Sequence, residues 1–206
     1  MRIKIQPVAL FLLLATFSIT LFSCGSESSD HYEIPDNEQI QAVGFDFDDT
    51  LAYSSPAFDR GFDQAQEPFS PEFWKVVNAS DENVSCLKPT VVNILEQHQD
   101  AGHQIYVITA RQGHGGDAWK QYVSETFSIP KENAYFEPNG KTQRIRELGI
   151  DIYYGDSNSD ITAAQQAGIK PIRIQRSSES NYQAKYNPGK YDEEIVENTA
   201  SHDCSL

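Results

Sequence analysis

The sequence predicts an α/β fold: a parallel sheet flanked by helices, with a small helical and aromatic cap inserted after the first strand. Three observations carry this. Short strand-forming runs alternate with helical patterns, an order that leaves the strands parallel because each return needs a crossover. The first run, through Val43, Phe45 and Phe47, passes directly into three acids, Asp46, Asp48 and Asp49, followed by Thr50. Further polar groups recur just after later strands, and in a parallel sheet ligands bind outside the carboxyl ends of the strands.

The elements follow in order. Gln41–Phe47 is the first strand. From Ala52 to about Ser80 no strand is evident; Phe58, Phe62, Phe69, Phe73 and Trp74 make the stretch aromatic, and Ser70-Pro71-Glu72 is a helix start with proline in the first turn. These aromatics fit a core singly and a pocket wall as a group, since they follow directly from the acids. Pro89 to Asp100 is a helix closed by Gly102, and Gln104–Thr109 is a second strand running into Ala110 and Arg111. After the glycine-rich loop 112–116, a helix spans Asp117 to Phe127, and Ala134–Phe136 is a short strand. A helix then follows Lys141 and stops at Gly149. Ile152–Tyr154 is a strand that enters the turn Gly155-Asp156-Ser157-Asn158-Ser159-Asp160; a helix over Ile161–Ala167 ends at Gly168, and Pro171–Ile174 is another strand. Residues 193–196 fit a late strand or a docking segment.

The amino terminus has a different character. Arg2 and Lys4 precede an almost unbroken apolar run from Val8 to Phe22, shorter than the roughly 20 residues that span a bilayer as a helix. Residues 1–23 read as an export signal. Leu21-Phe22-Ser23-Cys24-Gly25 resembles a lipoprotein box, in which Cys24 would be lipidated and become the new terminus. Residues 24–39, rich in Ser and acids, are a flexible tether; the folded domain covers 40–200 and a short tail covers 201–206. The expectation is a protein anchored by lipid outside the cytoplasm, on the periplasmic side of a bacterial membrane or the cell surface.

The 206 residues carry 16 basic and 30 acidic side chains, a formal charge of −14. Removal of the leader discards Arg2 and Lys4, so 14 basic against 30 acidic residues leave −16. Such a charge argues against binding nucleic-acid polymers through their backbones. It also requires that any anion site be built locally. Of the three cysteines, lipidation of Cys24 leaves Cys86 and Cys204, which can pair in an oxidising compartment or remain separate thiols.

The chemistry-bearing residues fall into one pattern. Asp46 with Asp48, Thr109 with Arg111, Lys141, and Asp156 with Asp160 each sit near a strand end or a helix start, so one sheet edge would gather them. Asp46 and Asp48, two apart, can point the same way as the strand ends. Acids this close repel one another, and a hard divalent cation offsets that repulsion with oxygen ligands. Taken singly, each has an ordinary explanation, such as a solvated acidic turn, a surface lysine, a loop ion pair or a helix N-cap. Their coincidence points to a site.

These residues resemble the four motifs of the haloacid dehalogenase (HAD) superfamily. The match narrows through Gly44–Leu51, Ser54-Ser55-Pro56, Phe58, Arg60-Gly61, Ile152–Ser157 and Asp160–Ala164 to the class B acid phosphatases, over most of residues 40–198. The resemblance implies a HAD-like Rossmannoid sheet and hydrolysis of phosphate monoesters, among them nucleotides and aryl phosphates, with an acidic optimum. Asp46 would be the nucleophile and Asp48 the general acid and base. Thr109, Arg111 and Lys141 would bind the phosphate. Mg²⁺ would be held by Asp46, Asp48 through its backbone carbonyl, Asp156, and Asp160 through a water. Phe58, Trp74 and Tyr182 would line an apolar slot for the leaving group. A homo-oligomer, a tetramer, is also implied, and an aspartyl-phosphate can pass its phosphoryl group to alcohols as well as water. A narrow nucleotidase, or an inactive surface binding module on the same scaffold, are the alternatives. A dehalogenase fits poorly, because Asp48 two residues after the nucleophile marks the phosphatase branch.

Overall fold

The computed structural model describes residues 32–35 and 39–205. The apolar leader, Cys24 and most of the expected tether lie outside the described residues. The chain forms β1 (Ala42–Phe45), β2 (Ala52–Tyr53), α1 (Ser55–Gln64), α2 (Pro71–Val84), β3 (Cys86–Leu87), α3 (Pro89–Asp100) and β4 (Gln104–Thr109). It continues through α4 (Gly116–Phe127), a single 3₁₀ turn, β5 (Ala134–Phe136), α5 (Thr142–Glu147), β6 (Ile152–Gly155), α6 (Asn158–Ala167), β7 (Lys170–Ile174) and β8 (Glu194–Val196). Six strands make one sheet in the order β5-β4-β1-β6-β7-β8, and each neighbouring pair is parallel. No helix among the described residues is long and apolar enough to cross a membrane.

The period of two along each strand divides the core into two layers. Val43 and Phe45, Ile105 and Val107, and Ile152 and Tyr154 point to one face, where α3 and α4 cover them with Val91, Ile94, Leu95, Trp119, Val123 and Phe127. Ala42, Tyr106, Ile108 and Tyr153 point to the other, against Ile145 of α5 and Ala163 and Ala164 of α6. Burying apolar surface on both faces is what stabilises a parallel sheet. It also fixes the carboxyl ends of β1, β4 and β6 side by side, which is where the acids emerge.

The stretch after the acids is more ordered than its composition suggests. The expected helix at Pro71 is present, N-capped by Ser70, whose Oγ accepts from Phe73 N at 3.2 Å. Before it, however, lies the ten-residue α1, begun by Pro56 in its first turn. Ala57 and Gly61, four apart, bury one face of α1 against α2. A β-carbon at Gly61 would lie 2.7 Å from Val77 Cγ2 and 2.8 Å from Phe73 Cε2, so the two helices pack this closely only over glycine. Phe73, Trp74, Val77 and Ala57 form a cluster separate from the two sheet layers, which makes the helical cap a small core of its own.

A two-stranded antiparallel ribbon, β2 with β3, joins cap to sheet. The carboxyl-terminal tail closes onto it: Cys204 is disulfide-bonded to Cys86, and Asp203 N donates to Leu87 O at 2.7 Å. The late strand enters the sheet as the parallel edge β8. Two boundaries differ from expectation. The first strand ends at Phe45, because the Phe47 carbonyl accepts from the amides of Thr50, Leu51 and Ala52 and turns the chain. The helix expected at Ile161 begins three residues earlier, at Asn158, because Ser157 and Asp160 form a reciprocal capping box.

Candidate active site

The turn after β1 places two carboxylates in two adjacent environments. Asp46, 5% exposed, accepts a bond from Lys141 Nζ at 2.5 Å, and the same ammonium reaches Asp160 Oδ1 at 2.7 Å. Lys141 comes from the start of α5, Asp160 from the first turn of α6 and Asp156 from the turn after β6. Gly155 makes room for this turn, since a β-carbon there would sit 2.4 Å from Asp160 Cβ. Thr50 Oγ1 lies 3.3 Å from Asp46 Oδ2 and 3.4 Å from Asp156 Oδ1, donating to both carboxylates at long range.

Asp48 faces a different set of groups. Its carboxylate accepts from Ser54 Oγ at 2.6 Å, from Thr109 Oγ1 at 3.0 Å, and from the Nε and NH2 groups of Arg111. Arg111 is almost fully buried. Its far side donates to Asp81 of α2 at 2.5 Å and to Asn78 Oδ1 at 3.3 Å, and its guanidinium lies over the rings of Phe47 and Phe58. The expectation that Arg111 faces the substrate phosphate therefore meets a different arrangement. The guanidinium is spent on two carboxylates, because the cap helix brings in a second acid that the turn after β4 does not supply.

Charge and burial set the protonation of these groups. Burial raises Asp46 well above the ordinary carboxylate range, the Asp160 charge adds to this, and Lys141 opposes it. Burial also raises Asp156, with Arg176 opposing. For Asp48 burial pulls upward, but the Arg111 charge and the hydrogen bonds from Arg111, Ser54 and Thr109 outweigh it and hold the group low. Lys141 is held strongly protonated, since the charges of Asp160 and Asp46 exceed its burial penalty. Asp49, with backbone φ of +56°, is pushed up to about 6 by burial and by Asp156.

Asp46, Asp156 and Asp160 bring ligand oxygens within 4.8 Å of one another, all three buried. An all-oxygen donor set of three acids against two cations, Lys141 and Arg176, suits a hard divalent cation such as Mg²⁺, so the residues present fit the expected ion. The Asp48 carboxylate stands outside this group, turned to Arg111 and Thr109.

The expected aromatic slot is only partly assembled. Phe58 and Trp74 meet edge to face with centroids 5.9 Å apart. Tyr182 stands on the carboxyl-terminal segment, 53% exposed, packed over the Arg176 guanidinium instead. Several residues of the site were not anticipated. Arg176 ion-pairs with Asp156. Lys88, buried, donates to the carbonyls of Asp49 and Gln175 at 2.5 and 2.7 Å, and burial lowers its pKa to about 8. Asp81 and Ser54 hold Arg111 and Asp48. Arg176, two residues past the end of β7, could have been found by the same strand-end signal that identified Thr109. Lys88 and Asp81 carry no such signal.

The profile of the HAD superfamily, subfamily IIIB (acid phosphatase), matches residues 26–185. The class B acid phosphatase of Proteus mirabilis is 36% identical over 77% of this chain and 72% of its own length; that of Morganella morganii is 34% identical over 78% and 74%. Among solved structures, CbbY from Rhodobacter sphaeroides with xylulose 1,5-bisphosphate superposes with a TM-score of 0.56 at 16% identity, covering 79% of this chain and 96% of that one. A haloacid dehalogenase-like hydrolase from Streptococcus pneumoniae gives 0.52 at 16% identity, covering 76% and 93%. These two share the fold. With profile and relatives in agreement over most of its length, the chain belongs to the HAD superfamily, subfamily IIIB, as a class B acid phosphatase, a phosphoric monoester hydrolase.

Proposed function

We propose that the chain is an exported, Mg²⁺-dependent acid phosphatase that hydrolyses nucleotides and aryl phosphates through an aspartyl-phosphate on Asp46. One observation supports this above the others. Lys141 Nζ bridges the buried carboxylates of Asp46 and Asp160, with Asp156 beside them, while Asp48, two residues from Asp46, is held apart by Thr109 and Arg111. The two acids of one turn are thus assigned different work by their surroundings.

Asp46 attacks phosphorus, and the phosphoryl group passes to its carboxylate as the P–O bond to the leaving alcohol breaks. Lys141 and Thr109 donate to the nonbridging oxygens as their charge redistributes, and Arg111 adds positive charge to the site. Asp48 gives its proton to the leaving oxygen, then takes one from the water that hydrolyses the acyl phosphate. Because Arg111 holds Asp48 low, its protonated form is confined to acid, which is consistent with an acidic optimum. Mg²⁺ would be held by Asp46, Asp156, the Asp48 carbonyl and, through a water, Asp160, and would supply positive charge to the transferring phosphoryl group. Phe58 and Trp74 offer flat apolar faces to bases and phenyl rings, and Tyr182 stands at the open side. Alcohols reaching the acyl phosphate would be phosphorylated in place of water. The leader and Cys24 support lipid anchoring outside the cytoplasm, and a homo-oligomeric, tetrameric state is part of the same reading.

The test is to quench turnover of an aryl phosphate in acid and digest. A peptide containing Asp46 and heavier by one phosphoryl group is expected. Brisk hydrolysis with no such adduct would exclude the covalent route. A panel of monoesters from acid to neutral pH separates the broad enzyme from a narrow nucleotidase, which would ignore aryl phosphates.

A further inference from the structure

Arg176 follows β7 and is buried, yet it belongs to neither sheet layer. Its Nε donates to Asp156 Oδ2 and lies 3.6 Å from Asp49 Oδ2. Its NH1 donates to the carbonyl of Tyr182 and, at 3.2 Å, to that of Ala184. Its guanidinium lies over two rings, 5.5 Å from Tyr182 and 5.1 Å from Tyr186, and the Tyr186 hydroxyl accepts from Arg176 N at 3.1 Å. One planar fork therefore touches a carboxylate of the acid cluster and the backbone of the segment that presents Tyr182.

The neighbouring residues hold this fork in place. Lys88 Nζ bonds the carbonyls of Gln175 and Asp49, fixing the residue before Arg176 to the turn after β1. Arg173 NH1 donates to the Asp156 carbonyl at 2.6 Å while its other nitrogens pair with buried Glu193. The far end of the segment is tied as well, with Asn158 N donating to Lys185 O at 2.9 Å. Asp156 is thus held at both its backbone and its side chain by two arginines, and only Arg176 extends to the exposed aromatic.

We propose that Arg176 is a positioning residue that orients Asp156 for the cation and couples cation binding to the order of the 180–186 segment bearing Tyr182. The inference rests on the cation reading above. A guanidinium suits this role because its donors leave in fixed directions, so a shift of the Asp156 carboxylate must turn the plane that also holds Tyr182 and Ala184. Lysine keeps the charge but lacks the planar fork, so it cannot hold these sites in one fixed relative orientation. Groups that orient a ligating carboxylate are worth about 10–100-fold in metal affinity when lost.

The experiment is calorimetric titration of Mg²⁺ into the metal-free wild type, Arg176→Lys and Arg176→Gln, together with cleavage after Lys185 by a lysine-specific protease. Both variants are expected to bind Mg²⁺ at least roughly tenfold more weakly. In the wild type, saturating Mg²⁺ should slow cleavage at Lys185, and this protection should disappear in Arg176→Lys. The Michaelis constant for an aryl phosphate should rise in Arg176→Lys more than that for glycerol phosphate, which has no ring to place on Tyr182. Folded variants that bind Mg²⁺ within twofold of wild type, or wild-type cleavage indifferent to Mg²⁺, would overturn the inference alone. A wild type that binds no Mg²⁺ would overturn the cation reading with it. Should Arg176→Gln fail to fold, the lysine variant and the wild-type protection carry the test.

Discussion

Arg111 and Asp81 lock the helical cap to the sheet: NH1 donates to Asp81 Oδ2 at 2.5 Å and NH2 to Asp81 Oδ1 at 3.1 Å, with both side chains out of solvent. The same guanidinium holds Asp48, so one cation compensates two carboxylates. Removing it leaves both without a counter-charge. Arg111→Met should cost about 3–5 kcal/mol at neutral pH, the usual penalty for breaking a buried pair. The stranded carboxyls would then titrate above their unfolded values. Destabilisation should be full above those raised values and relieved as pH falls through them. Urea unfolding of wild type and variant at neutral and acid pH checks this; a deficit that does not shrink in acid would mean the pair is not what the arginine supports.

Asp46→Asn should abolish turnover, by roughly a thousandfold or more, as expected for loss of a nucleophile. It should not unfold the protein. The substitution removes one of three mutually repelling buried acids and leaves Lys141 its bond to Asp160. The midpoint of thermal unfolding without metal should therefore stay close to that of the wild type. Activity within tenfold of wild type in the purified variant would remove Asp46 from the role of nucleophile.

The acid cluster was legible because its members sit where chain direction alone predicts convergence. Asp46, Asp156 and Lys141 lie at strand ends or helix starts, and a parallel sheet brings these to one edge. The sheet itself was legible for the same reason, since its strands are short apolar runs bounded by Gly and charged residues. α1 was hidden because its apolar face, Ala57, Phe58, Gly61 and Phe62, is short and lies among Pro56 and Gly61, which read as breaks; its burial is supplied by α2, through Gly61. The split between Asp46 and Asp48 was also hidden. Spacing on an ideal strand points them the same way, but the turn at Phe47 separates them, and the groups that hold Asp48 come from residues 54, 109 and 111. Asp81 lies mid-helix and acquires its partner only when cap meets sheet.

Chelation should lower thermal stability as well as activity. A cation that binds only the folded state at 100 times its dissociation constant adds about 2.7 kcal/mol, or roughly 5–10 °C in the midpoint for a domain of this size. The buried Asp46, Asp156 and Asp160 are the reason. Thermal scans of the protein with EDTA, then with excess Mg²⁺, should show the midpoint fall and recover together with phosphatase activity. Full activity in metal-free buffer would refute the dependence.

Reduction of the Cys86–Cys204 disulfide should destabilise the chain without touching the chemistry. The bridge closes a loop of 118 residues, for which chain entropy gives on the order of 4–5 kcal/mol. In the reduced protein the tail keeps the Asp203 to Leu87 bond and the stacking of His202 on Tyr53, centroids 4.0 Å apart. These contacts are few, so the tail should fray and the midpoint fall by roughly 10 °C. A Cys86→Ser, Cys204→Ser double variant should behave as the reduced wild type. Its turnover number at low temperature should be unchanged, because Asp46 and Asp48 are held by Lys141, Thr109 and Arg111 and not by the tail.

His98 should set an acid limit to stability. It lies on α3 beneath the sheet, with Nε2 2.8 Å from the Tyr154 hydroxyl and Nδ1 2.9 Å from His103 Nδ1, its ring edge-on to Phe45. Burial, with a smaller contribution from His103, lowers its pKa from 6.5 to about 4. A histidine whose folded value is depressed binds its proton more readily unfolded. Its stabilising contribution is present above 6.5 and is lost as pH falls from there toward 4. The slope from this one proton is at most roughly 1.4 kcal/mol per pH unit. His98→Gln keeps a hydrogen-bonding group toward Tyr154 but cannot take up a proton, so its stability should fall less steeply over that window. Parallel urea denaturation of the two proteins at several pH values measures the difference in slope directly; identical slopes would place the acid lability in the carboxylates alone.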